Sequence, residues 1–166
     1  MERQDTALEI LKTAILLERQ GKAFYTQAAR NSKSPAVKQI FEDMAEEENE
    51  HIQFLTKQAQ SYVENHQFIA PENHPHEESN TDILTQQVKK EIDAASFEAA
   101  AISAAINFEN KAIDVYAARA KEATSIEEKA VYTMLAEWER GHHHLLHRLS
   151  EDLKEEIWND NNFWPF

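Results

Sequence analysis

The sequence predicts an all-α protein in which four long helices form two hairpins joined by a long connection. Three observations lead there. Helix breakers are scarce, with 2 Gly and 4 Pro among 166 residues, while Ala, Glu, Leu and Lys are abundant. Apolar residues recur at helical spacing, as in Leu8, Leu11, Ile15 and Phe24 of the first segment. The second half of the chain also repeats features of the first at a constant offset of 91 positions.

Each element has its own signals. Thr6-Ala-Leu-Glu9 reads as a capping box opening a first helix to about Ala29. Asn31-Ser-Lys-Ser-Pro35 breaks it, and Ser34 with Pro35 at the first helical position opens a second helix to about Tyr62. The stretch from 63 to about 95 differs. Its first part, ENHQFIAPENHPHEESN, carries two prolines and three histidines and reads as loop, followed by a short helix from Thr81 to about Glu91. Ser96 starts a third long helix ending near Ala123, and Ser125-Ile-Glu-Glu128 is a second capping box opening the fourth. This gives hairpin one at about 6–62, a crossover at about 63–95 and hairpin two at about 96–158, one domain over 1–158. A crossover this long suits a bundle whose halves are joined end to end. The tail 159–166 is polar, then aromatic. Phe163, Trp164 and Phe166 are expected to dock on a groove or a second copy of the chain, so a homo-oligomer is expected.

Bulk composition narrows the function. Acids outnumber Lys and Arg by 30 to 17, a formal charge of −13, which argues against a nucleic-acid partner and is compatible with attracting cations. Cysteine is absent, which excludes disulfides, zinc–thiolate sites and iron–sulfur clusters together. The opening MERQDTALEI lacks the basic and apolar regions of a signal peptide, and no apolar run approaches the roughly 18 residues of a membrane span. No membrane partner and a cytoplasmic location are the expectation.

The repeat carries the chemistry. Glu18 is followed seven residues on by Tyr25, and Glu109 by Tyr116; Glu48 is followed three on by His51, and Glu139 by His142. Each later residue stands 91 positions after its counterpart, as do Ala136 after Ala45 and Leu146 after Leu55. Glu18 lies 13 residues before Asn31 and Glu48 lies 14 after Ser34. At about 1.5 Å per residue both sit roughly 20 Å from their turn, so antiparallel helices bring them level. The same count from Thr124 and Ser125 brings Glu109 level with Glu139. Glu and His at i and i+3 share a helix face. Four carboxylates and two imidazoles therefore converge on the bundle axis.

Four carboxylates buried together are costly unless protonated or metal-bound. Two divalent ions neutralise them and accept neutral imidazoles. One Glu from each of two helices and a Glu-x-x-His from each of the others is the donor set of dimetal carboxylate bundles. The apolar neighbours Leu17, Phe54, Phe108 and Leu145 suit a buried stripe rather than a solvated acidic face.

At LLERQGKAFY, MAEEENEHIQFL, INFENKAIDVY and LAEWERGHHHLL the chain resembles the rubrerythrin branch of the ferritin-like di-iron carboxylate superfamily. The resemblance spans nearly the whole chain. It implies a ferritin-like four-helix bundle of two repeated hairpins joined by a long crossover. It also implies two iron ions bridged by Glu48 and Glu139, one completed by Glu18 and His51 and the other by Glu109 and His142. Tyr25 and Tyr116 would then donate to ligand carboxylates and hold their orientation. Two departures matter. Rubrerythrins proper carry a rubredoxin-type iron domain built on four cysteines, and this chain has none. They also carry an extra metal-binding Glu where this chain has Ala112, whose counterpart is Gly21. Small residues there leave room beside the metals for an oxidant or solvent.

The resulting expectation is a redox protein that reduces dioxygen or hydrogen peroxide, or oxidises ferrous iron, with an external electron donor. His and carboxylate donors also suit manganese and zinc. A non-catalytic iron-storage or buffering subunit, and a structural bundle with a zinc-filled or vestigial site, are the alternatives. Glu46, Glu47, Glu50 and Glu137 read as solvent-facing, with one of them available as a base beside the ligands. His143, His144 and His147 on the fourth long helix, and His66, His74 and His76 in the loop, read as polar surface.

Overall fold

A computed structural model describes residues 2–72, 81–92 and 96–160. Among them are five helices: α1 (Glu2–Asn31), α2 (Pro35–Asn65), α3 (Thr81–Glu91), α4 (Phe97–Glu122) and α5 (Ile126–Asp160). The architecture is all-α. α1 packs along α2 and α4 along α5, and α3 crosses from α2 to α5.

The helix ends follow local chemistry. Ser34 caps α2 by accepting from the Val37 N–H at 3.2 Å, with Pro35 in the first turn where its missing N–H costs nothing. Ser96 caps α4 the same way, accepting from Ala99 N–H at 3.3 Å. Ser125 accepts from Glu128 N–H at 3.1 Å, and the Glu128 carboxylate returns to Thr124 N–H at 3.0 Å, one residue before the serine. α2 ends at His66, whose φ of 55° is left-handed and whose N–H bonds Tyr62 C=O.

Several boundaries differ from the sequence reading. α1 starts at Glu2, which leaves Thr6 inside the helix rather than capping it, because Glu2-Arg-Gln-Asp5 contains no breaker. α2 continues three residues past Tyr62. α5 runs to Asp160, two residues into the segment read as tail, since no Gly or Pro stands between Gly141 and Pro165. Phe163, Trp164 and Phe166, together with His74 and His76, lie outside the described residues.

The crossover is fastened at both ends. Gln58 on α2 donates to Ile69 C=O at 3.0 Å and accepts from Ile69 N–H at 2.9 Å, so the chain leaving α2 folds back onto it. At the other end two carboxylates reach the start of α2. Glu91 accepts from Ser34 Oγ at 2.6 Å and Ala36 N–H at 3.1 Å, and Glu98 from the N–H groups of Lys33 at 2.5 Å and Ser34 at 3.2 Å. Negative charge at a helix N-terminus satisfies orphan donors and opposes the helix dipole. The turn of hairpin one is thus tied to the end of α3 and the start of α4, which sets the two hairpins side by side.

The apolar core falls into two clusters. One gathers Phe41, Met44, Val88, Ile102 and Leu149 toward the hairpin-one turn; the other gathers Leu11, Leu55, Val131, Tyr132 and Leu135 toward the hairpin-two turn. Between them the bundle axis is polar.

Candidate metal centre

The polar layer consists of the six residues marked by the repeat. Glu18 is 2% exposed, Glu48 0%, His51 2%, Glu109 0%, Glu139 1% and His142 4%, so they cannot be a solvated acidic face. The long helices keep each at the level fixed by its distance from the turn.

The six sort into two groups around the histidines. His51 Nδ1 lies 3.1 Å from Glu18 Oε2, 3.2 Å from Glu48 Oε2 and 3.0 Å from Glu139 Oε1. His142 Nδ1 lies 3.4 Å from Glu109 Oε1, 3.5 Å from Glu48 Oε1 and 3.6 Å from Glu139 Oε2. Glu48 and Glu139 each give one oxygen to each group. Four donor atoms about 2.1 Å from one ion stand about 3.0–3.4 Å apart, depending on geometry. The distances from His51 Nδ1 have that spacing and those from His142 Nδ1 are slightly wider. Both oxygens of Glu48 and of Glu139, Glu109 Oε2 and His142 Nδ1 are buried without a hydrogen-bond partner. Buried oxygens without a donor, gathered in two groups around the histidines, fit cations. These residues could hold two metal ions, with Glu48 and Glu139 shared between them.

Without ions the cluster must carry protons. Burial, then the charge of Glu139, raises the pKa of Glu18 well above the usual carboxylate value. Burial raises Glu109 to about 8, against the opposing hydrogen bond with His142. Burial also opposes ionisation of Glu139, but the charge of His51 and the proximity of both histidine rings hold it well below its usual range. Burial opposes protonation of His51 and His142, yet the surrounding carboxylates raise both. Without metal, the surroundings therefore favour the protonated forms of Glu18, Glu109 and both histidines and the ionised form of Glu139.

Both tyrosines meet the carboxylate of the opposite hairpin. Tyr25 Oη donates to Glu109 Oε1, and Tyr116 Oη donates to Glu18 Oε1. Burial, then the adjacent carboxylates, raises both phenols well above their usual pKa, so they keep their protons. Glu18 thereby gives Oε1 to a tyrosine and keeps Oε2 for the cluster.

Two neighbours escaped the sequence reading. Glu47, read as solvent-facing, is half-buried, and its Oε2 lies 2.5 Å from His142 Nε2. Trp138 stacks on His51, with centroids 4.7 Å apart and planes 9° apart. Glu47 and Trp138 are themselves 91 residues apart, so the repeat offset could have marked them. Glu46, Glu50 and Glu137 are exposed as expected. His143 and His147 stack at 5.9 Å on the outer face of α5. They form no group of three metal donors among the described residues.

Gly21 does not leave open space. A Cβ there would stand 2.9 Å from the Phe108 ring and 3.3 Å from the Glu48 carboxyl carbon. Phe108 fills the room that the sequence reading assigned to oxidant or solvent. Its repeat counterpart is Leu17, as Ala112 is that of Gly21, so the larger ring pairs with the smaller residue.

Fold and site together define a helical-bundle protein with a buried carboxylate–histidine cluster able to hold metal. The rubrerythrin family profile matches residues 9–150, and the chain belongs to that family. No curated protein matches it. Among solved structures, a hypothetical protein from Pyrococcus furiosus is similar at 22% identity and a TM-score of 0.60, covering 89% of this chain and 90% of that one. That likeness shows the same ferritin-like fold. No helix among the described residues is long and apolar enough to cross a membrane.

Proposed function

We propose that the chain holds two iron ions in this cluster and uses them as a redox centre, reducing dioxygen or hydrogen peroxide or oxidising ferrous iron. The observation that carries the reading is the sharing of Glu48 and Glu139, whose paired oxygens face both histidines. Glu18 and His51 would complete one ion, Glu109 and His142 the other. A bound iron pair supplies two electrons to an oxidant, one from each ion.

The protein's own part is positional and protonic. Long helices hold the donors at one level, so little rearrangement is needed on binding. Tyr25 and Tyr116 hold Glu109 and Glu18 in orientation and keep their protons beside the centre. The apolar clusters above and below exclude water. With no cysteine in the 166 residues, renewal of the reduced centre falls to an external donor or to ferrous iron itself. A homo-oligomer is part of the same proposal, tested by sizing. Manganese and zinc suit the same donors, so metal identity is decided by loading.

The experiment is anaerobic loading with ferrous iron, elemental analysis, and optical spectra after peroxide or dioxygen is added. Two ions per chain and a single oxidation that stops without a donor are expected. Absence of any spectral change with two ions bound would sink the redox role. Repeated cycling with no donor would remove the external-reductant claim.

A further inference from the structure

The repeat that builds the site is broken beside the two shared carboxylates. Glu47 immediately precedes Glu48, and its counterpart Trp138 immediately precedes Glu139. Each reaches the histidine of the other hairpin, but with different chemistry. Glu47 Oε2 is 2.5 Å from Nε2 of His142. Trp138 lays its ring parallel to His51 at 4.7 Å, and the buried Nε2 of His51 has no protein partner.

A neutral imidazole that ligates through one nitrogen carries its proton on the other. At His142 the Nε2–H has an acceptor in Glu47. That bond fixes the tautomer with the Nδ1 lone pair facing Glu48, Glu109 and Glu139, sets the ring plane, and makes Nδ1 a stronger donor. Stacking holds the His51 ring in place but accepts nothing from its Nε2–H, which lies in the ring plane. The two halves match in ligand type and differ in the support behind the histidine.

We infer that Glu47 is a positioning residue that makes the two ion positions unequal. The ion at Glu109 and His142 is held first and tightly, and the ion at Glu18 and His51 weakly and exchangeably. This rests on the two-ion reading above.

Cobalt(II) tests it, with occupancy read from its visible absorption in the metal-free full chain. His51→Ala leaves the His142 position and His142→Ala leaves the His51 position, so each variant is expected to bind one ion. The ion remaining in His51→Ala should bind about 10- to 100-fold more tightly than the one in His142→Ala. Adding Glu47→Ala should erase that advantage in His51→Ala and change little in His142→Ala. Glu47→Gln, whose amide oxygen still accepts from Nε2–H, should restore much of it, which a general loss of folding would not allow. Equal affinities in the two single-position variants would overturn the inference, as would an equal effect of Glu47→Ala on both. Failure of the unaltered chain to take two ions into the cluster would instead sink the two-ion reading, and the ordering with it.

Discussion

The Tyr116 hydroxyl on α4 donates to Oε1 of Glu18 on α1, while Oε2 of the same carboxylate faces His51 at 3.1 Å. Tyr25 does the reciprocal service for Glu109. The two hairpins thus steady each other's terminal carboxylate, and neither half of the centre is complete alone.

Tyr25→Phe should leave the chain folded and both ions bound, because no proposed ligand is removed. Glu109 loses its orienting donor, so single-turnover oxidation should slow by about tenfold or more. Metal content and the oxidation rate, measured on one sample, check this. An unchanged rate would make Tyr25 an ordinary core tyrosine.

The roles of the six residues predict a ranked loss of metal. Glu48→Ala or Glu139→Ala removes an oxygen from both groups and should release both ions. His51→Ala should mainly release one. Elemental analysis after gel filtration reads the difference. Equal loss in all variants would show that the shared and terminal roles are wrongly assigned.

Much of this was legible because it is periodic. Ser34-Pro35, Ser96 and Ser125 mark helix starts by side-chain chemistry that acts within four residues. The constant offset placed the six candidate ligands at one level without any knowledge of packing. What was not legible depends on neighbours distant in sequence. Glu47 looks like one acid of a solvated run until α5 brings His142 against it. Gly21 reads as free space until Phe108 of the other hairpin fills it. Thr6 could cap only if the residues before it were not helical, and they are.

The metal-free centre should make stability fall as pH rises. Glu109 has a folded pKa of about 8 against an ordinary 4.5, so its contribution is complete below 4.5 and is lost as pH rises through about 8. His51 and His142 are raised above 6.5, so theirs is present below 6.5 and lost as pH rises through the folded values. Glu139 is depressed and acts oppositely, losing its contribution as pH falls below 4.5. Between about pH 6.5 and 8 the first three dominate. The melting temperature with chelator should drop across that range, and bound metal should raise it most at the alkaline end. A chelated protein that grows more stable over the same range would contradict the raised pKa values of the buried cluster.

The two carboxylates at the start of α2 should matter to stability and not to the metals. Glu98→Ala strands the N–H groups of Lys33 and Ser34, at a cost of about 1–3 kcal/mol. Burial acts to raise the pKa of Glu98, but these backbone donors outweigh it and hold the carboxyl below its usual value. Its contribution is therefore present above 4.5 and lost as pH falls. Denaturant midpoints at neutral and acid pH measure both effects, and a midpoint unmoved by the substitution would mean the crossover is not fastened there.

Gly21 and Phe108 should behave as one unit. A methyl group on Gly21 meets the Phe108 ring edge at 2.9 Å, closer than side chains pack. Gly21→Ala alone therefore forces the ring to move or the helices to part, costing about 1–3 kcal/mol despite the better helix propensity of alanine. Phe108→Leu alone opens a gap beside Glu48 and should also destabilise. The double variant gives this half the residues of the other, where Ala112 is the repeat counterpart of Gly21 and Leu17 that of Phe108. It should recover much of the loss, so that the two changes together cost less than their sum. Urea midpoints for the four proteins close the cycle. Strict additivity would show that the glycine is tolerated for some reason other than the ring. A second readout ties the pair to the centre: because Glu48 lies 3.3 Å from the same Cβ position, Gly21→Ala should also weaken metal binding, and Phe108→Leu should restore it only where the ring was what pressed the new methyl group toward the carboxylate.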